Sequence, residues 1–415
     1  MNTTKNTAAQ CAPLHGDRET KPAIRYAEFT GAWEQRKVGE IAVDTYGGGT
    51  PNTSVREYWD GDIPWIQSSD LTDGILSGAT VNKRISKAGL MKSAAKLVPA
   101  NSIAIITRVG VGKLAFMRFQ YAASQDFLSL SRLKAEPWFC TYALYKKLQG
   151  ELNAVQGTSI KGITKEVLLS KKIMLPTIDE QARIGSVFRN LDHLLTFRQR
   201  EFVKLQNIKK ALLEKMFPKD GADKPEIRFA GFTDAWEQRR LGELGSVAMC
   251  KRIFKEQTTE SGDVPFFKIG TFGDEPDAFI TRELFEEYKA KYPYPEIGDI
   301  LISASGSIGR TVEYAGKDEY FQDSNIVWLK HDEHLDNGFL KHFYSVVKWV
   351  GIEGSTIKRL YNENILGTAI SLPSLTEQQQ IGAFFSTIDT LLTLHQHQLK
   401  KLKNIKKALL GKMFV

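Results

Sequence analysis

Apolar residues recur at alternating spacings of four and three along two long stretches of the chain, which is the pattern of a helix with a single apolar face. The stretches are Ile173–Phe217 and Ile370–Phe414, and they are identical at 25 of 45 positions. Both end with the block Asn-Ile-Lys-Lys-Ala-Leu-Leu followed closely by Lys-Met-Phe. A repeat this close indicates that the chain contains two copies of one structural unit.

Each copy is predicted to form one long helix. Capping boxes open both, because Thr177 precedes Glu180 and Ser374 precedes Glu377. In such a box the hydroxyl and the carboxylate each bond a free backbone N–H of the first turn. A helix of about 40 residues spans roughly 60 Å. Its apolar face requires a partner, and the simplest partner is the other copy.

The predicted seam of this helix pair has one polar interruption at matching positions, Arg198 and His395. Toward the helix ends the seam is expected to continue through Ile208 and Ile405. The main seam residues are Ile184, Phe188, Leu191, Leu195, Phe202, Leu205, Ile381, Phe385, Ile388, Leu392, Leu399 and Leu402.

The segments Lys21–Ile41 and Lys224–Leu244 form a second repeat, with 14 of 21 positions identical. Their shared tryptophan and phenylalanine are interpreted as core anchors. The polar linker Pro218–Asp223 resembles the passage His15–Pro22 near the N-terminus. The chain is therefore an opened ring of module, helix, module and helix, which predicts pseudo-twofold symmetry and neighbouring termini.

Two divergent modules lie between the repeats, and their short apolar runs separated by Gly, Asp, Asn and Pro indicate mixed α/β domains. Strands are predicted at Ile63–Ile66, Ser102–Thr107 and Ile300–Ser303, and helices near Phe139–Leu148 and Leu340–Val350. The predicted organisation is an N-terminal tail (1–20), a first module (21–172), a first spacer helix (173–217), a linker (218–223), a second module (224–369) and a second spacer helix (370–415).

Short motifs recur in both modules although their surroundings differ. The matching pairs are Gly61–Trp65 with Gly262–Phe266, Gln125-Asp126 with Gln322-Asp323, and Gly157–Lys161 with Gly354–Lys358. One scaffold carrying two sets of loops is typical of a protein that reads two different targets in the same way.

Composition narrows the class of partner. The chain has 415 residues, a net charge of +8 and a pI near 9.1, which suits a polyanionic partner. Cys11, Cys140 and Cys250 have neither metal-ligand spacing nor a disulfide framework, which indicates a reducing, cytoplasmic compartment. The sequence has no run of about 18 apolar residues and no apolar signal core, so we expect neither a membrane span nor secretion.

Catalytic motifs are missing from the sequence. Gly110–Leu114 and Gly306–Arg310 have the wrong spacing for a P-loop, and neither a dinucleotide-binding glycine motif nor an Asn/Asp-Pro-Pro-aromatic motif is present. His331–His334 contains two histidines, but a solvated loop is a stronger interpretation than a metal site because no further ligand lies nearby. We therefore expect neither a catalytic residue nor a metal site in this chain.

The glycine turns suit contact with phosphate instead. In each module a strand-like run leads into glycine-rich backbone that ends in a cation, at Thr107–Lys113 and Ser303–Arg310. Glycine lets backbone N–H groups approach a phosphate, and the cation supplies charge. The alternative is an ordinary hairpin turn with a solvated cation. The occurrence of the turn at corresponding places in both modules favours phosphate contact.

Four features carry a family resemblance: the paired Phe-Thr-x-Ala-Trp-Glu-Gln-Arg segments, the stretch Gly47–Leu71, the Leu-Pro-x-x-x-Glu-Gln helix starts and the twin helix ends. Together they resemble the specificity (S) subunit of type I restriction-modification enzymes over about residues 21–414. The second module lacks the Gly-Gly-Thr-Pro and Tyr-Trp elements of the first, so its target is expected to differ.

The resemblance implies a mixed α/β fold in which two globular target recognition domains are joined by two long antiparallel coiled-coil helices, as a pseudo-twofold, circular repeat. Each domain would bind one half of an asymmetric, bipartite site in double-stranded DNA, mainly in the major groove. The helices would fix the spacing of the half-sites and dock two modification subunits, which bind S-adenosylmethionine and methylate adenine N6. Two restriction subunits would add translocation and cleavage that depend on ATP and Mg. The chain itself would be non-catalytic and bind no cofactor.

Two roles are predicted for side chains at the DNA. The cations Arg108, Lys113, Lys161, Arg310, Lys358 and Arg359 are expected to position the DNA backbone, together with Ser303 and Ser305 of the second glycine turn. Base reading is assigned to Gln67, Ser68 and Ser69 in the first module and to Lys268 in the second.

Two other functions remain open on the sequence. A structural coiled-coil adaptor without DNA recognition explains the helices but leaves the duplicated basic glycine turns unexplained. A self-sufficient methyltransferase is disfavoured by the missing motifs. The adaptor predicts no salt-sensitive retention on DNA, and the enzyme predicts cofactor binding by the isolated chain.

Overall fold

The computed structural model describes residues 21–154, 162–219, 221–349 and 359–415. The chain divides into two compact units, which we call unit 1 (residues up to 200 and 397–415) and unit 2 (residues 201–396). The division passes through both long helices, so each unit contains one module and one part of each helix.

The helices of the described residues are α1 (Lys87–Met91), α2 (Pro137–Ala154), α3 (Lys165–Ser170), α4 (Ile178–Met216), α5 (Leu241–Leu244), α6 (Arg282–Lys291), α7 (Asn337–Val346), α8 (Asn362–Leu366) and α9 (Leu375–Met413). The strands are β1 (Glu34–Lys37), β2 (Ala42–Gly47), β3 (Ile63–Ile66), β4 (Lys83–Ile85), β5 (Ser102–Ile106), β6 (Leu114–Met117), β7 (Ala122–Ala123), β8 (Phe127–Leu133), β9 (Lys172–Leu175), β10 (Glu237–Arg240), β11 (Gly245–Ala248), β12 (Val264–Phe267), β13 (Phe279–Ile280), β14 (Ile300–Ser303), β15 (Thr311–Glu313), β16 (Tyr320–Phe321), β17 (Ile326–His331) and β18 (Ala369–Leu372). Short 3₁₀ turns lie at Val38–Glu40, Arg56–Tyr58, Ser68–Asp70 and Lys255–Gln257.

Both units have the same sheet topology. Unit 1 contains an antiparallel sheet in the order β2-β8-β5-β6, a three-stranded sheet β4-β3-β7 and a pair β1-β9. Unit 2 repeats this arrangement as β11-β17-β14-β15, β13-β12-β16 and β10-β18. In each three-stranded sheet one pairing is antiparallel and the other parallel. The duplication inferred from short motifs therefore extends to every sheet of the two modules.

The predicted strands and helices of the modules are confirmed, with shifted ends. The strand predicted to end at Thr107 ends at Ile106, and α2 is longer than the predicted helix at both ends. In contrast, α7 ends at Val346, four residues before the predicted end, because Val347 adopts extended backbone with ψ of 140°.

Each module is closed by an antiparallel strand pair. Glu34 lies opposite Leu175 in one unit, and Glu237 lies opposite Leu372 in the other, so the first strand of a module pairs with its last. Residues 173–175 and 370–372 therefore belong to the modules, and the long helices begin later than predicted, at Ile178 and Leu375. Trp33 and Trp236 immediately precede these pairs and are 3% and 2% exposed, which confirms the prediction for the tryptophans. The paired phenylalanines Phe29 and Phe232 are only half-buried, so the prediction is wrong for them. Burial of an indole contributes a large apolar area to each core.

The starts of the long helices differ from the predicted capping boxes. The Ser374 hydroxyl accepts a hydrogen bond from the Glu377 backbone N–H at 3.4 Å, as expected. The carboxylate of Glu377, however, is fully buried and accepts two hydrogen bonds from the Arg228 guanidinium, each at 2.7 Å. Glu180 is held by Arg25 in the same way. The glutamates thus bind the leading segment of each module to the start of its helix, which is a long-range role.

The helices pair antiparallel within each unit. In unit 1, Phe414 at the end of α9 packs on Phe188 of α4 and on Phe139, with ring centroids 5.4 and 5.1 Å apart. In unit 2, Phe217 at the end of α4 packs in the same way on Phe385 of α9 and on Phe339 of α7. The predicted coiled-coil pairing is therefore present as two equivalent helix contacts.

The circular order is visible in backbone hydrogen bonds. Ile227 donates to the Lys215 carbonyl at 2.9 Å, across the linker that joins α4 to the second module. Ile24 donates to the Lys412 carbonyl at the same distance, although these residues lie near opposite ends of the sequence. The end of the second helix meets the first module as the end of the first helix meets the second module.

The main seam residues are buried or half-buried, but the seam leaves the predicted path near the helix ends. Ile208 and Ile405 are 42% and 38% exposed, whereas the neighbouring Lys406 is buried and Lys209 is half-buried. The period of 3.6 residues drifts by about 20° per heptad relative to a 3.5-residue seam, and this drift moves the contact by one position.

Candidate nucleic-acid interface

Three turns come together on one surface of unit 1. The exit turn (67–73) follows β3, the glycine turn (107–113) joins β5 to β6, and the Gln-Asp turn (124–126) precedes β8. Ser124 N–H donates to the Ile66 carbonyl at 2.9 Å, and Thr107 N–H donates to the Asp126 carbonyl at 2.7 Å. These bonds hold the three turns side by side, because each turn is tied to the next through the backbone.

The exit turn presents the residues predicted to read bases. Asp70 is buried, and its carboxylate accepts bonds from the Gln67 backbone N–H at 2.9 Å and from Asn82 at 2.8 Å. This leaves the Gln67 amide outside, where it donates to the Ser69 hydroxyl at 3.0 Å. Ser69 is exposed and Ser68 is half-buried. The turn is thus fixed from beneath by a carboxylate while its amide and hydroxyls face outward.

Lys83 belongs to this surface and was missed by the sequence analysis. Its ammonium group lies 5.6 Å from the Trp59 ring and 5.7 Å from the Trp65 ring, and it donates weakly to the Gln67 side-chain oxygen at 3.4 Å. Two aromatic faces and an amide hold the cation in place. The pairing of β4 with β3 brings it there, and no local motif indicates that pairing.

The glycine turn of unit 1 carries exposed Arg108 and half-buried Lys113. Gly110 and Gly112 have φ of +90° and +94°, a backbone region that favours glycine. A Cβ on Gly112 would also meet the Leu152 side chain at 2.3 Å, so the turn fits closely against α2. The two cations are therefore held on a turn with a defined backbone.

The Gln-Asp turn is covered by the glycine-rich stretch after β2. A Cβ on Gly48 would lie 1.8 Å from the Ser124 carbonyl oxygen, so only glycine allows this approach. Thr50 follows and donates its hydroxyl to the Gln125 side-chain oxygen at 2.6 Å. Both side chains are exposed. The Gln125-Asp126 motif recurs in both modules, but its place on this surface follows only from the fold.

Unit 2 has the same three turns at 268–277, 303–310 and 322–325. Ile269 N–H donates to the Gln322 side-chain oxygen at 2.9 Å, and Ala304 N–H donates to the Asn325 carbonyl at 2.7 Å. Lys268 directly follows β12 as Gln67 directly follows β3, and it pairs with Asp277 at 2.9 Å. At equivalent positions, unit 1 therefore presents the Gln67 amide and unit 2 presents the ion-paired ammonium group of Lys268.

The glycine turn of unit 2 corrects one predicted contact. Ser303 is 1% exposed, and its hydroxyl accepts from the Arg310 N–H at 2.9 Å and donates to the Ser307 carbonyl. Ser303 therefore shapes the turn, because its burial leaves the hydroxyl unable to reach DNA. Ser305 is half-buried and donates to Asn325 at 2.8 Å. Arg310 is exposed, and its guanidinium bonds the Gly273 carbonyl at 3.2 Å.

The remaining predicted cations lie in or directly after the motifs Gly157–Lys161 and Gly354–Lys358. Arg359 donates to the Ser324 carbonyl at 3.0 Å and lies over the Tyr361 ring at 5.8 Å, so it joins the Gln-Asp turn of unit 2. Lys161 and Lys358 lie outside the described residues.

The surfaces of the two units differ in how their cations are paired with carboxylates. Within the described part of the chain, neither Arg108 nor Lys113 forms an ion pair. In unit 2 each of three cations has a carboxylate partner, in the pairs Lys268–Asp277, Arg310–Asp274 and Arg252–Asp323. The surface of unit 1 is therefore open to an anion, whereas that of unit 2 is partly self-neutralised.

The turn at His331–His334 holds no metal-ligand cluster among the described residues. These ranges contain no group of three or more His, Cys, Asp and Glu side chains arranged to hold a metal ion. His331 instead bonds Asn337 and the Asp332 carbonyl at 2.8 Å each. No helix in the same ranges combines the length and apolar character needed to cross a membrane.

Comparison with known proteins assigns the family. A family model described as a type I restriction modification DNA specificity domain matches residues 31–207 and again 233–404. A putative type I restriction enzyme specificity subunit of Haemophilus influenzae is 59% identical over 152 residues, which is 36% of this chain and 40% of that protein. The type I restriction enzyme MjaIX specificity subunit of Methanocaldococcus jannaschii is 25% identical over 92% of both chains.

A solved structure shares the fold. The S subunit of a type I restriction-modification system from M. genitalium superimposes with a TM-score of 0.66 at 17% identity. The match covers 95% of this chain and 99% of the other.

Proposed function

The chain belongs to the type I restriction-modification DNA specificity family, and on that premise we propose that it reads an asymmetric, bipartite DNA site with one half per unit. Specificity subunits are non-catalytic parts of restriction-modification complexes that recognise the DNA sequence. The finer assignment concerns which surface reads which half. We assign the first half-site to the three turns of unit 1 and the second to those of unit 2.

The observation that carries this proposal is the repetition of three converging turns with different side chains at equivalent positions. A shared framework places both surfaces in the same way relative to their own helices. The replacement of the Gln67 amide by the Lys268 ammonium group changes what can be bonded at a base edge. An amide can pair with adenine in two bonds, whereas a lysine favours the acceptors of guanine. Different halves of one site follow from this difference.

Backbone contact is assigned to the cations of the glycine turns. Arg108 and Lys113 are not engaged by carboxylates of the described residues, so phosphates can approach them without displacing a partner. Removal of one such cation is expected to weaken binding to all sequences and to lower the salt slope by about 0.9.

The long helices supply a docking surface for two modification subunits. Their seam residues pack within the chain, so the docking role belongs to exposed apolar residues beside the seam. Each unit presents a matching set of three, namely Leu194, Phe197 and Ile405 in unit 1 and Leu391, Leu394 and Ile208 in unit 2. Two equivalent apolar sets suit two copies of one partner, and exposed apolar patches of this kind mark interfaces.

The remaining partners complete the proposed complex. Two restriction subunits would join the two modification subunits on one specificity chain. S-adenosylmethionine would be bound by the modification subunits, and ATP with Mg by the restriction subunits, while this chain supplies recognition.

The test is a map of methylated adenines in DNA from cells that express the chain with its modification subunit. We expect a gapped motif of two unlike halves that disappears when the chain is absent. Lys268→Gln should alter or relax the half read by unit 2 and leave the other half unchanged, because it changes one base-reading position. Gln67→Lys should have the reciprocal effect on the half read by unit 1.

The matched control is Lys317→Gln, which removes one exposed lysine of unit 2 outside the three turns. It should leave the methylated motif unchanged. A motif in which both halves change after Lys268→Gln would contradict the assignment of one half per unit. Unchanged methylation in the absence of the chain, with an active modification subunit, would remove the recognition function altogether.

A further inference from the structure

The cations of unit 2 are paired with carboxylates of the unit's own exit turn. Asp277 contacts the Lys268 ammonium group at 2.9 Å, and Asp274 lies 3.5 Å from the Arg310 guanidinium. Glu275 lies between the two aspartates and is also exposed. Three carboxylates therefore stand on the surface that is assigned to DNA, beside the cations that would contact it.

These carboxylates are held in place. Phe272 is 1% exposed in the core of unit 2, the Thr271 hydroxyl accepts from the Lys268 N–H at 3.1 Å, and the Gly273 carbonyl accepts from Arg310. Gly273 has φ of +77°, which allows the turn to double back onto the glycine turn. The acidic residues thus lie against the cations because of the fold of the turn.

Unit 1 uses the acidic residues of its exit turn differently. Asp70 faces inward and bonds Asn82 and a backbone N–H. Asp73 accepts from Tyr145 at 3.3 Å and from Gln149 at 3.5 Å, both on α2. The carboxylates of unit 1 support the turn, and its cations remain open to phosphate.

We propose that Asp274 and Asp277 are specificity-determining residues that act by competition, since they occupy Arg310 and Lys268 until a DNA sequence with the correct base contacts displaces them. This inference rests on the proposed reading of DNA by unit 2. The carboxylate oxygens stand where phosphate or base acceptors would be bound. Their charges also repel DNA that lacks compensating base contacts.

The strength of the pairs suits this role. The side chains of Asp274 and Asp277 are 76% and 58% exposed, so the pairs are solvated. Exposed ion pairs are weak, and a correctly seated DNA can break them at small cost. In a non-cognate complex no base contacts displace the carboxylates, so they stay beside the phosphates and their repulsion falls mainly on non-cognate DNA. Discrimination is therefore larger than the base contacts alone provide.

The experiment measures DNA affinity of the complex of this chain with its modification subunits. The two probes are a duplex that contains the mapped methylation motif and a duplex in which only the half read by unit 2 is scrambled. Affinity is measured over a series of salt concentrations for the wild type and for Asp274→Asn/Asp277→Asn. The control is Glu286→Gln/Asp318→Asn, which removes two exposed carboxylates that pair with Arg282 elsewhere in unit 2.

We expect the variant to bind the scrambled duplex about tenfold more tightly, because repulsion and competition are removed, and the cognate duplex by less than about threefold. The salt slope for the scrambled duplex should steepen by up to roughly 2, since each additional phosphate that the protein neutralises adds about 0.9. In cells the variant should methylate additional sites that differ only in the half read by unit 2.

An equal increase in affinity for both duplexes, matched by the control variant, would show a general charge effect and overturn the competition. An unchanged scrambled-duplex affinity would overturn it as well. Wild-type complex that binds neither duplex would defeat the proposed function itself, and this inference with it, so the two failures are distinguishable.

Discussion

Unit 1 and unit 2 share one fold but place different polar groups where each module meets the helix pair. In unit 1 Asp192 accepts from Tyr142 at 2.5 Å and from Lys406, which also donates to the Gly74 carbonyl. The helix repeat places Asp389 and Lys209 at the equivalent positions in unit 2, and they pair at 2.5 Å.

The side chain that the module places beside this aspartate differs between the units. Where unit 1 has Tyr142, unit 2 has His342, whose Nε2 lies 4.0 Å from the Asp389 carboxylate. Both ring nitrogens of His342 are buried without a hydrogen-bond partner in the described part of the chain. Duplication has therefore preserved packing more strictly than the hydrogen bonding of buried polar groups. The junction in unit 1 is a satisfied buried network, whereas that in unit 2 is more exposed and incompletely bonded.

The largest effect is expected where the two units are most alike. The substitutions Glu180→Gln and Glu377→Gln each leave a nearly buried arginine without its carboxylate partner. Each should therefore destabilise its own unit by about 3 kcal/mol. The loss should be larger for Glu180, because Arg228 keeps a bond to the Asp234 carbonyl while Arg25 Nη1 has no partner among the described residues. Hydrogen exchange of the segments 21–33 and 224–236 measures each unit separately.

The control for this pair is Glu237→Gln, an exposed glutamate whose ion pair with Arg239 should contribute less than about 1 kcal/mol. Equal small losses for all three variants would contradict the role of the buried arginine–glutamate contacts.

A second prediction tests the difference between the units directly. Asp192→Asn removes the charge that faces buried Lys406, and it should destabilise unit 1 by about 3 kcal/mol. Asp389→Asn acts on a pair that is 19% and 27% exposed, and it should cost unit 2 only about 1 kcal/mol. Urea unfolding measures the loss of stability of each variant. Hydrogen exchange of the α2 amides then reports on unit 1, and exchange of the α7 amides reports on unit 2.

The double variant Asp192→Asn/Lys406→Met provides the internal control. Because it removes both charges, it should be more stable than Asp192→Asn alone. Additive losses would show that the two residues do not act as a pair.

A third prediction concerns acid. Burial, followed by the nearby charge of Lys209, lowers the pKa of His342 to about 4, and Asp389 only partly offsets this. The unfolded chain therefore takes up a proton near its ordinary pKa of about 6.5, before the native unit 2 does, so stability falls as pH falls from about 6.5 to 4. At about pH 5 the loss should be about 2 kcal/mol relative to neutral pH. Tyr142 imposes no such loss, since burial raises the pKa of its hydroxyl.

His342→Phe isolates this effect, because a phenyl ring fits beside Phe385, whose ring lies 5.1 Å from the imidazole. Unfolding in urea at about pH 5 and at neutral pH should show a smaller acid loss for the variant than for the wild type. Identical pH dependence would mean that other groups account for the acid sensitivity.

Much of the fold can be predicted from the sequence, because its main elements occur there twice. The duplicated helices, the buried Trp33 and Trp236, and the circular order each have a local pattern that physical chemistry converts into structure. The glycine turns can also be predicted from the sequence, since positive φ at Gly110 and Gly309 restricts the residue type.

The remainder depends on contacts between distant residues. Glu180 satisfies a local capping pattern but binds Arg25, 155 residues away. Lys406 belongs to a lysine-rich helix end that suits a solvated face, yet it is buried because Asp192 lies opposite. The Arg310–Asp274 ion pair of unit 2 likewise joins two separate turns, so no local spacing reveals it.

The smallest expected effect tests the path of the helix seam. Ile208→Gln and Ile405→Gln should each change stability by less than about 1 kcal/mol, because the drift of the helix period leaves both side chains partly exposed. Leu399→Gln, at a seam position that is 6% exposed, should cost about 3 kcal/mol in the same assay. Since Ile208 and Ile405 belong to the proposed docking sets, their substitution should instead weaken binding of the modification subunits, measured by native mass spectrometry. A large loss of stability in either isoleucine variant would place the seam on the path first predicted from the sequence.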